Sequence, residues 1–178
     1  LRRARAGGGG LPPSGRGAAR PLRVPHCVGA LPGCLAETGF APEALGVEIT
    51  ESVLLTDLAS TAMRLAALHA IGVRVAIDDF GTGYSSLSYL HQLPLDILKI
   101  DRSFVSGVTE NGAKTALTRT VLDLARSLGL ATIAEGIETE EQRDALRAMG
   151  CQEAQGFLFA RPLDGDRLAA LLGVPATA

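Results

Sequence analysis

The 178-residue chain has no tryptophan, two tyrosines and five phenylalanines, and its 17 basic residues are not interleaved with aromatics. That disfavours a nucleic-acid binder, which needs clustered Lys and Arg beside stacking rings. The three cysteines, Cys27, Cys34 and Cys151, form no Cys-x-x-Cys pair, so neither a disulfide framework nor a zinc site is signalled, and a reducing cytoplasm is the expected setting. No apolar run reaches the roughly 18 residues of a membrane span. After Leu1-Arg2-Arg3 the chain turns to glycine and proline rather than to the apolar core of a secretory signal.

Acidic residues are absent from one end. Residues 1–33 hold no Asp, Glu or Lys, but carry the glycine run Gly7–Gly10 and are rich in Arg, Gly, Ala and Pro. This head has no helical or strand period and is expected to be disordered: a linker, a basic arm for an anionic partner, or the product of a non-native reading frame. All 19 acidic residues fall in residues 34–178, which read as one domain of apolar, globular composition.

From Cys34 the pattern becomes short β-branched runs alternating with helical periods. Strands are expected at Gly46–Thr50, Val73–Ile77, Asp96–Ile100, Ala131–Ala134 and, weakly, Glu153–Gln155. Helices are expected at Leu58–Ala70, Tyr84–Leu90, Ala113–Leu128, Glu140–Met149 and Gly165–Leu172. Gly72, Gly129 and Gly150 each stand between a helix and a strand, where a left-handed cap is wanted. Repeated βα units imply an α/β parallel sheet, open or closed as a barrel. Polar residues at the end of nearly every strand favour the barrel, whose strand ends converge on one mouth.

Those ends carry Glu48 and Glu51, Asp78-Asp79, Lys99 and Asp101, Glu135, and Gln155. Carboxylates gathered in one mouth repel by about 4 kcal/mol per pair at 4 Å and effective dielectric 20, so they require cations or protons. An all-oxygen set suits hard divalent ions, magnesium or manganese. Lys99, within Ile97-Leu98-Lys99-Ile100, would be costly to bury unpaired and so reads as functional. Alternatives stand beside these readings: an exposed strand carboxylate for Glu48, a helix cap for Asp78, and for Gln155 no decision by itself. His26, His69 and His91 are not placed like catalytic bases. Phe80–Ser86, with Gly81 and Gly83, reads as a mobile loop.

Taken together, Glu48-Ile49-Thr50-Glu51, Asp78-Asp79-Phe80-Gly81-Thr82-Gly83-Tyr84-Ser85-Ser86-Leu87, Leu98-Lys99-Ile100-Asp101, Ala134-Glu135-Gly136-Ile137-Glu138 and Gln155-Gly156-Phe157 resemble the EAL domain family from about Leu35 to Leu172. The resemblance implies a modified (β/α)8 TIM-like barrel of bacterial signalling proteins, facing the cytoplasm. Its active members hydrolyse cyclic di-GMP to pGpG with two Mg²⁺ or Mn²⁺ ions. It further implies that Glu48, Asp78, Asp79, Glu135 and Gln155 serve the metals, with Asp78 bridging the ions. Lys99 would orient the attacking water, with Asp101 close by. Glu51 and Glu138 would anchor the Gly81/Gly83 loop, which links the site to a homodimer.

The signature Glu-Ala-Leu, carried within a Glu-x-Leu-x-Arg motif, and an Asn-Leu-Ser motif belong upstream of the Glu48 strand in that family. Neither motif is read there. The expectation is therefore a partial barrel of about five C-terminal βα units, with two open parallel edges, an exposed interior and weak or no activity alone. A cyclic di-GMP receptor or dimerisation module is the alternative, and an enolase-type metal barrel a more distant one.

Overall fold

The computed structural model describes residues 4–5, 24–51, 57–81, 87–110, 112–164 and 167. Its strands are β1 (Ala4–Arg5), β2 (Gly46–Thr50), β3 (Arg74–Phe80), β4 (Ile97–Ile100), β5 (Ala131–Ala134) and β6 (Glu153–Ala154). The α-helices are α1 (Val24–Thr38), α2 (Leu58–Ala70), α3 (Arg102–Val105), α4 (Ala113–Ser127) and α5 (Glu140–Ala148). The strands form one sheet in the order β1-β6-β5-β4-β3-β2. Strands β2 to β6 are parallel, and β1 runs antiparallel to β6.

Alternation along the strands sorts the side chains onto two faces. Val75, Ile77, Leu98, Ile100 and Ala134 point toward the helices and are buried with Leu65 and Leu68 of α2, Leu122 and Ala125 of α4, and Leu146 of α5. Each fully buried Leu or Ile contributes about 1.5–3 kcal/mol through removal from water. Ala76, Ile97 and Ile133 pack together on the opposite, inner face. The interior expected to be exposed is thus closed over at its centre, because inward side chains on neighbouring strands shelter one another. Exposure persists on β2, at Gly46, Glu48 and Thr50.

The predicted helix–glycine–strand rhythm holds: Gly72, Gly129 and Gly150 all have positive φ, at 89°, 71° and 90°. Other expectations change. The composition predicts disorder to residue 33, yet α1 begins at Val24 and crosses that boundary. Pro32 inside α1 costs a helix about 3 kcal/mol and hides its period, while Leu31 and Leu35 pack against the core and supply the tertiary contact that overrides it. One of the two expected open edges is covered, since Ala4 and Arg5 pair with Ala154 and Glu153. Of the helix expected at Tyr84–Leu90, residues 84–86 lie outside the described residues and the rest is a 3₁₀ helix, Leu87–Gln92. The helix expected at Gly165–Leu172 lies, apart from Arg167, outside the described residues. The last strand ends at Ala154, one residue short of Gln155.

Candidate metal centre

Three adjacent strands carry the site. The residues Glu48 on β2, Asp78 on β3 and Lys99 on β4 share the inner face, and Glu135 follows β5 on the same side. Lys99 is 0% exposed, and its Nζ lies 2.9 Å from Glu48 Oε2, 2.7 Å from Asp78 Oδ1 and 2.6 Å from Glu135 Oε1. Burial pushes the Lys99 ammonium toward neutrality, but hydrogen bonds to Asp78 and Glu135 and the field of Glu48 outweigh it, so its pKa is raised. The lysine stays charged and holds three carboxylates together. Gln155 reaches the cluster from just beyond β6, its Nε2 donating to Glu135 Oε1.

Adjacent residues on a regular strand point to opposite faces, so Asp78 and Asp79 should not act together. The sheet resolves this with a bulge. Ile77 pairs with Leu98 and Phe80 with Ile100, so two residues of β3 stand opposite the single residue Lys99. Asp79 takes φ 52°, the only positive φ of a non-glycine residue among those described. The result is a ligand group: carboxylate oxygens of Asp78, Asp79 and Glu135 lie within 4.8 Å of one another. These oxygens, beside a buried lysine that already gathers carboxylates, fit a hard divalent cation in charge and donor chemistry.

The remaining predicted residues take other contacts. Asp101 accepts a hydrogen bond from Ser103 N at 2.9 Å and caps α3. Burial would raise its pKa, but the Ser103 hydrogen bonds and the adjacent Arg102 more than offset this, and the pKa is lowered. This cap stabilises the fold above the carboxylate's unfolded pKa and is lost as pH falls through the lower folded value. Asp101→Ala is expected to cost about 1 kcal/mol near pH 7, with Asp101→Asn costing less because amide oxygen also caps. Urea unfolding at pH 7 and pH 3 measures the difference, which should shrink at the lower pH.

Glu51 is buried, and its Oε2 accepts from Gly81 N at 3.4 Å. Gly81 has φ 91°, and an added Cβ would sit 2.6 Å from the Phe104 ring. Residues 82–86 of the loop that Glu138 is expected to anchor lie outside the described residues, and Glu138 Oε1 pairs with Arg102 Nη2 at 2.6 Å. Arg102 reaches it by lying across Gly136, where any Cβ would meet the arginine stem. Gly83 lies outside the described residues. His69 is 3.2 Å from Asp96 and Cys151 is buried, so neither belongs to the site.

Sequence reasoning missed the wall beside the cluster. Arg102, Glu135, Glu138, Gln155, Phe157 and Pro162 line a cavity of about 250 Å³. The Arg161 guanidinium lies 5.0 Å from the centre of the Phe157 ring, which is 53% exposed. The Gly-Phe pair after Gln155 was the available signal, although nothing in its spacing points to Arg102.

One reading of the motifs needs correction. The tripeptide Glu43-Ala44-Leu45 does occur, but Glu43 and Ala44 lie in the 3₁₀ turn Pro42–Ala44 before β2, at the opposite end of the sheet from the metal cluster. Glu43 Oε1 instead lies near Gly72, 3.2 Å from where a Cβ would stand. Val47 occupies the place of the motif's arginine.

A parallel α/β sheet with carboxylates and a lysine gathered at its strand ends is the arrangement of a TIM-barrel-like domain, and its acidic group could hold a metal ion. The chain belongs to the EAL domain family, whose model matches residues 16–162. The bifunctional diguanylate cyclase/cyclic di-GMP phosphodiesterase MucR of Pseudomonas aeruginosa is 42% identical over 136 residues, 76% of this chain and 20% of that protein. The EAL domain of Mycobacterium smegmatis DcpA superposes with a TM-score of 0.80 at 45% identity, covering 85% of this chain and 68% of that one. A manganese/cyclic di-GMP complex of Klebsiella pneumoniae BlrP1 matches with a TM-score of 0.71 at 38% identity, over 78% of this chain and 35% of that one. Curated relatives are much longer: the chain spans 17% to 22% of the length of eight of those it matches. No helix among the described residues is long and apolar enough to cross a membrane.

Proposed function

We propose that this chain is a cytoplasmic cyclic di-GMP signalling domain whose site is that of a phosphodiesterase but which, alone, turns over weakly or not at all. The observation that carries the reading is the convergence of Asp78, Asp79 and Glu135 around a lysine that is fully buried. Asp78, Asp79 and Glu135, with Glu48 and Gln155, would hold Mg²⁺ or Mn²⁺. When bound, such ions supply Lewis-acid polarisation of a phosphoryl oxygen and lower the pKa of water.

The chain's own residues have separable roles. Lys99 offsets the repulsion among the carboxylates and can orient a water or a phosphoryl oxygen with its ammonium protons. Gln155 fixes the rotamer of Glu135. The cavity edged by Phe157 supplies an aromatic face for a nucleobase, while Arg102 and Glu138 place a donor and an acceptor at its rim. Glu51 holds Gly81, which is how the loop carrying Gly83 would be coupled to a homodimer. Glu43 cannot stand in for the signature glutamate from the far end of the sheet, which favours weak turnover and keeps a receptor role as the second reading.

Incubation of the purified chain with cyclic di-GMP and Mn²⁺, followed by chromatography of nucleotide products, tests this. The expected rate of pGpG release is at least about a hundredfold below that of the DcpA EAL domain, a deficit of about 2.7 kcal/mol in activation free energy. Equal rates would overturn the weak-turnover reading. Binding without turnover would support the receptor role.

A further inference from the structure

The cavity beside the metal cluster is small. Its volume of about 250 Å³ is below the roughly 300–1,000 Å³ of sites that enclose a whole drug-sized ligand, so it has room for one base and not for a dinucleotide. Gly136, Gly156, Phe157, Ala160 and Pro162 make its apolar wall. The exposed Phe157 ring, with the Arg161 guanidinium 5.0 Å from its centre, supplies planes on which a base stacks.

Two opposite charges stand at the rim. Arg102 Nη2 donates to Glu138 Oε1 at 2.6 Å, and the two side chains are 63% and 43% exposed. An ion pair this exposed adds little to stability, so the fold does not require it. Its position is nevertheless built. Gly136 has φ 70°, and a Cβ there would lie 2.6 Å from Arg102 Cγ, so glycine is what lets the arginine stem cross the chain immediately after Glu135. A donor and an acceptor are thereby held side by side next to the metal cluster. Both keep capacity beyond that one bond, since a guanidinium has five N–H donors and a carboxylate two oxygens.

An adjacent donor and acceptor match one purine edge and oppose another. Guanine presents O6, an acceptor, next to N1–H, a donor, whereas adenine presents its 6-amino donor next to N1, an acceptor. Arg102 against O6 and Glu138 Oε2 against N1–H satisfy guanine. Adenine on the same rim would set donor against donor and acceptor against acceptor. Hypoxanthine has the O6 and N1–H of guanine and lacks only the 2-amino group, which this pairing leaves unread.

We propose that Arg102 and Glu138 are the specificity-determining pair of this cavity, reading the O6/N1–H edge of one 6-oxopurine base stacked on Phe157 and rejecting adenine. This rests on the cyclic di-GMP reading of the site and extends it, because hypoxanthine is accepted as guanine is.

Calorimetric titration of the chain in Mn²⁺ with cyclic di-GMP, its hypoxanthine analogue cyclic di-IMP, and cyclic di-AMP tests the pair. Cyclic di-GMP and cyclic di-IMP are expected to bind within about threefold of each other, and cyclic di-AMP about thirtyfold more weakly, because a site built to hydrogen-bond a substrate rejects an analogue that leaves its groups unpaired. Arg102→Met keeps the stem over Gly136 but removes the donors, and should bring the guanine-to-adenine ratio below about fivefold. Glu138→Gln should do the same, since its amide can donate to adenine N1. Three results would each overturn the assignment while the cyclic di-GMP reading stands: an unchanged ratio in both folded variants, an equal weakening of all three ligands, or cyclic di-IMP binding as weakly as cyclic di-AMP. If no ligand binds the folded wild-type chain, the cyclic di-GMP reading fails and the assignment fails with it.

Discussion

Replacing Lys99 with methionine is expected to destabilise the metal-free protein by about 3–5 kcal/mol at pH 7, the scale for removing one partner of a buried ion cluster. Methionine fills most of the volume, so the effect is electrostatic rather than a cavity. Without the ammonium, Glu48, Asp78 and Glu135 keep their charges within contact of a vacated centre. Exposed ion pairs are worth only about 0–1 kcal/mol, so a loss that small would mean the cluster is held by something other than Lys99. One dependence identifies the cause: Mn²⁺ should recover part of the deficit at pH 7 by supplying the missing positive charge. Denaturant unfolding of wild type and Lys99→Met in chelator and in Mn²⁺ measures it.

Gly156→Ala is the second large effect, and its origin is steric. A Cβ at position 156 would lie 2.1 Å from Ile137 O and 2.2 Å from Ile137 N, both backbone atoms. Ile137 cannot easily retreat, because its N–H donates to Gln155 O at 3.1 Å and its carbonyl accepts from Leu158 N at 3.0 Å. The chain after β6 must therefore move away from the chain after β5. A loss of about 3 kcal/mol is expected, at the upper end of ordinary overpacking, with Tm lower by roughly 6–12 °C for a domain of this size. The same displacement would draw Gln155 from Glu135, so Mn²⁺ affinity should fall as well. Unchanged affinity in a folded Gly156→Ala protein would show that Gln155 does not position Glu135.

The inner-face residues were readable because alternation is a two-residue rule: Glu48, Asp78, Lys99 and Glu135 each stand one place from an apolar outward residue. The glycine caps at 72, 129 and 150 were readable for an equally local reason. What escaped depends on contacts between distant segments. The bulge that turns Asp78 and Asp79 to one site arises from register against β4, and nothing in the Asp-Asp pair announces it. Helix α1 was hidden by Pro32, whose cost only packing by Leu31 and Leu35 can offset. Arg102, 36 residues from Glu138 in sequence, lies across Gly136 to meet it, a pairing that no local spacing announces. The literal Glu43-Ala44-Leu45 likewise acquires meaning only from its position, at the wrong end of the strands.

The most direct test of the central claim, that Asp78, Asp79 and Glu135 around Lys99 form a divalent-metal site that engages cyclic di-GMP, is a calorimetric titration of cyclic di-GMP into the folded chain with Mn²⁺, with chelator, and with Asp78→Asn in Mn²⁺. The account predicts binding in Mn²⁺ that weakens at least tenfold in chelator and in the Asp78→Asn variant. Equal affinity under all three conditions, or no binding by the folded protein in Mn²⁺, would contradict it.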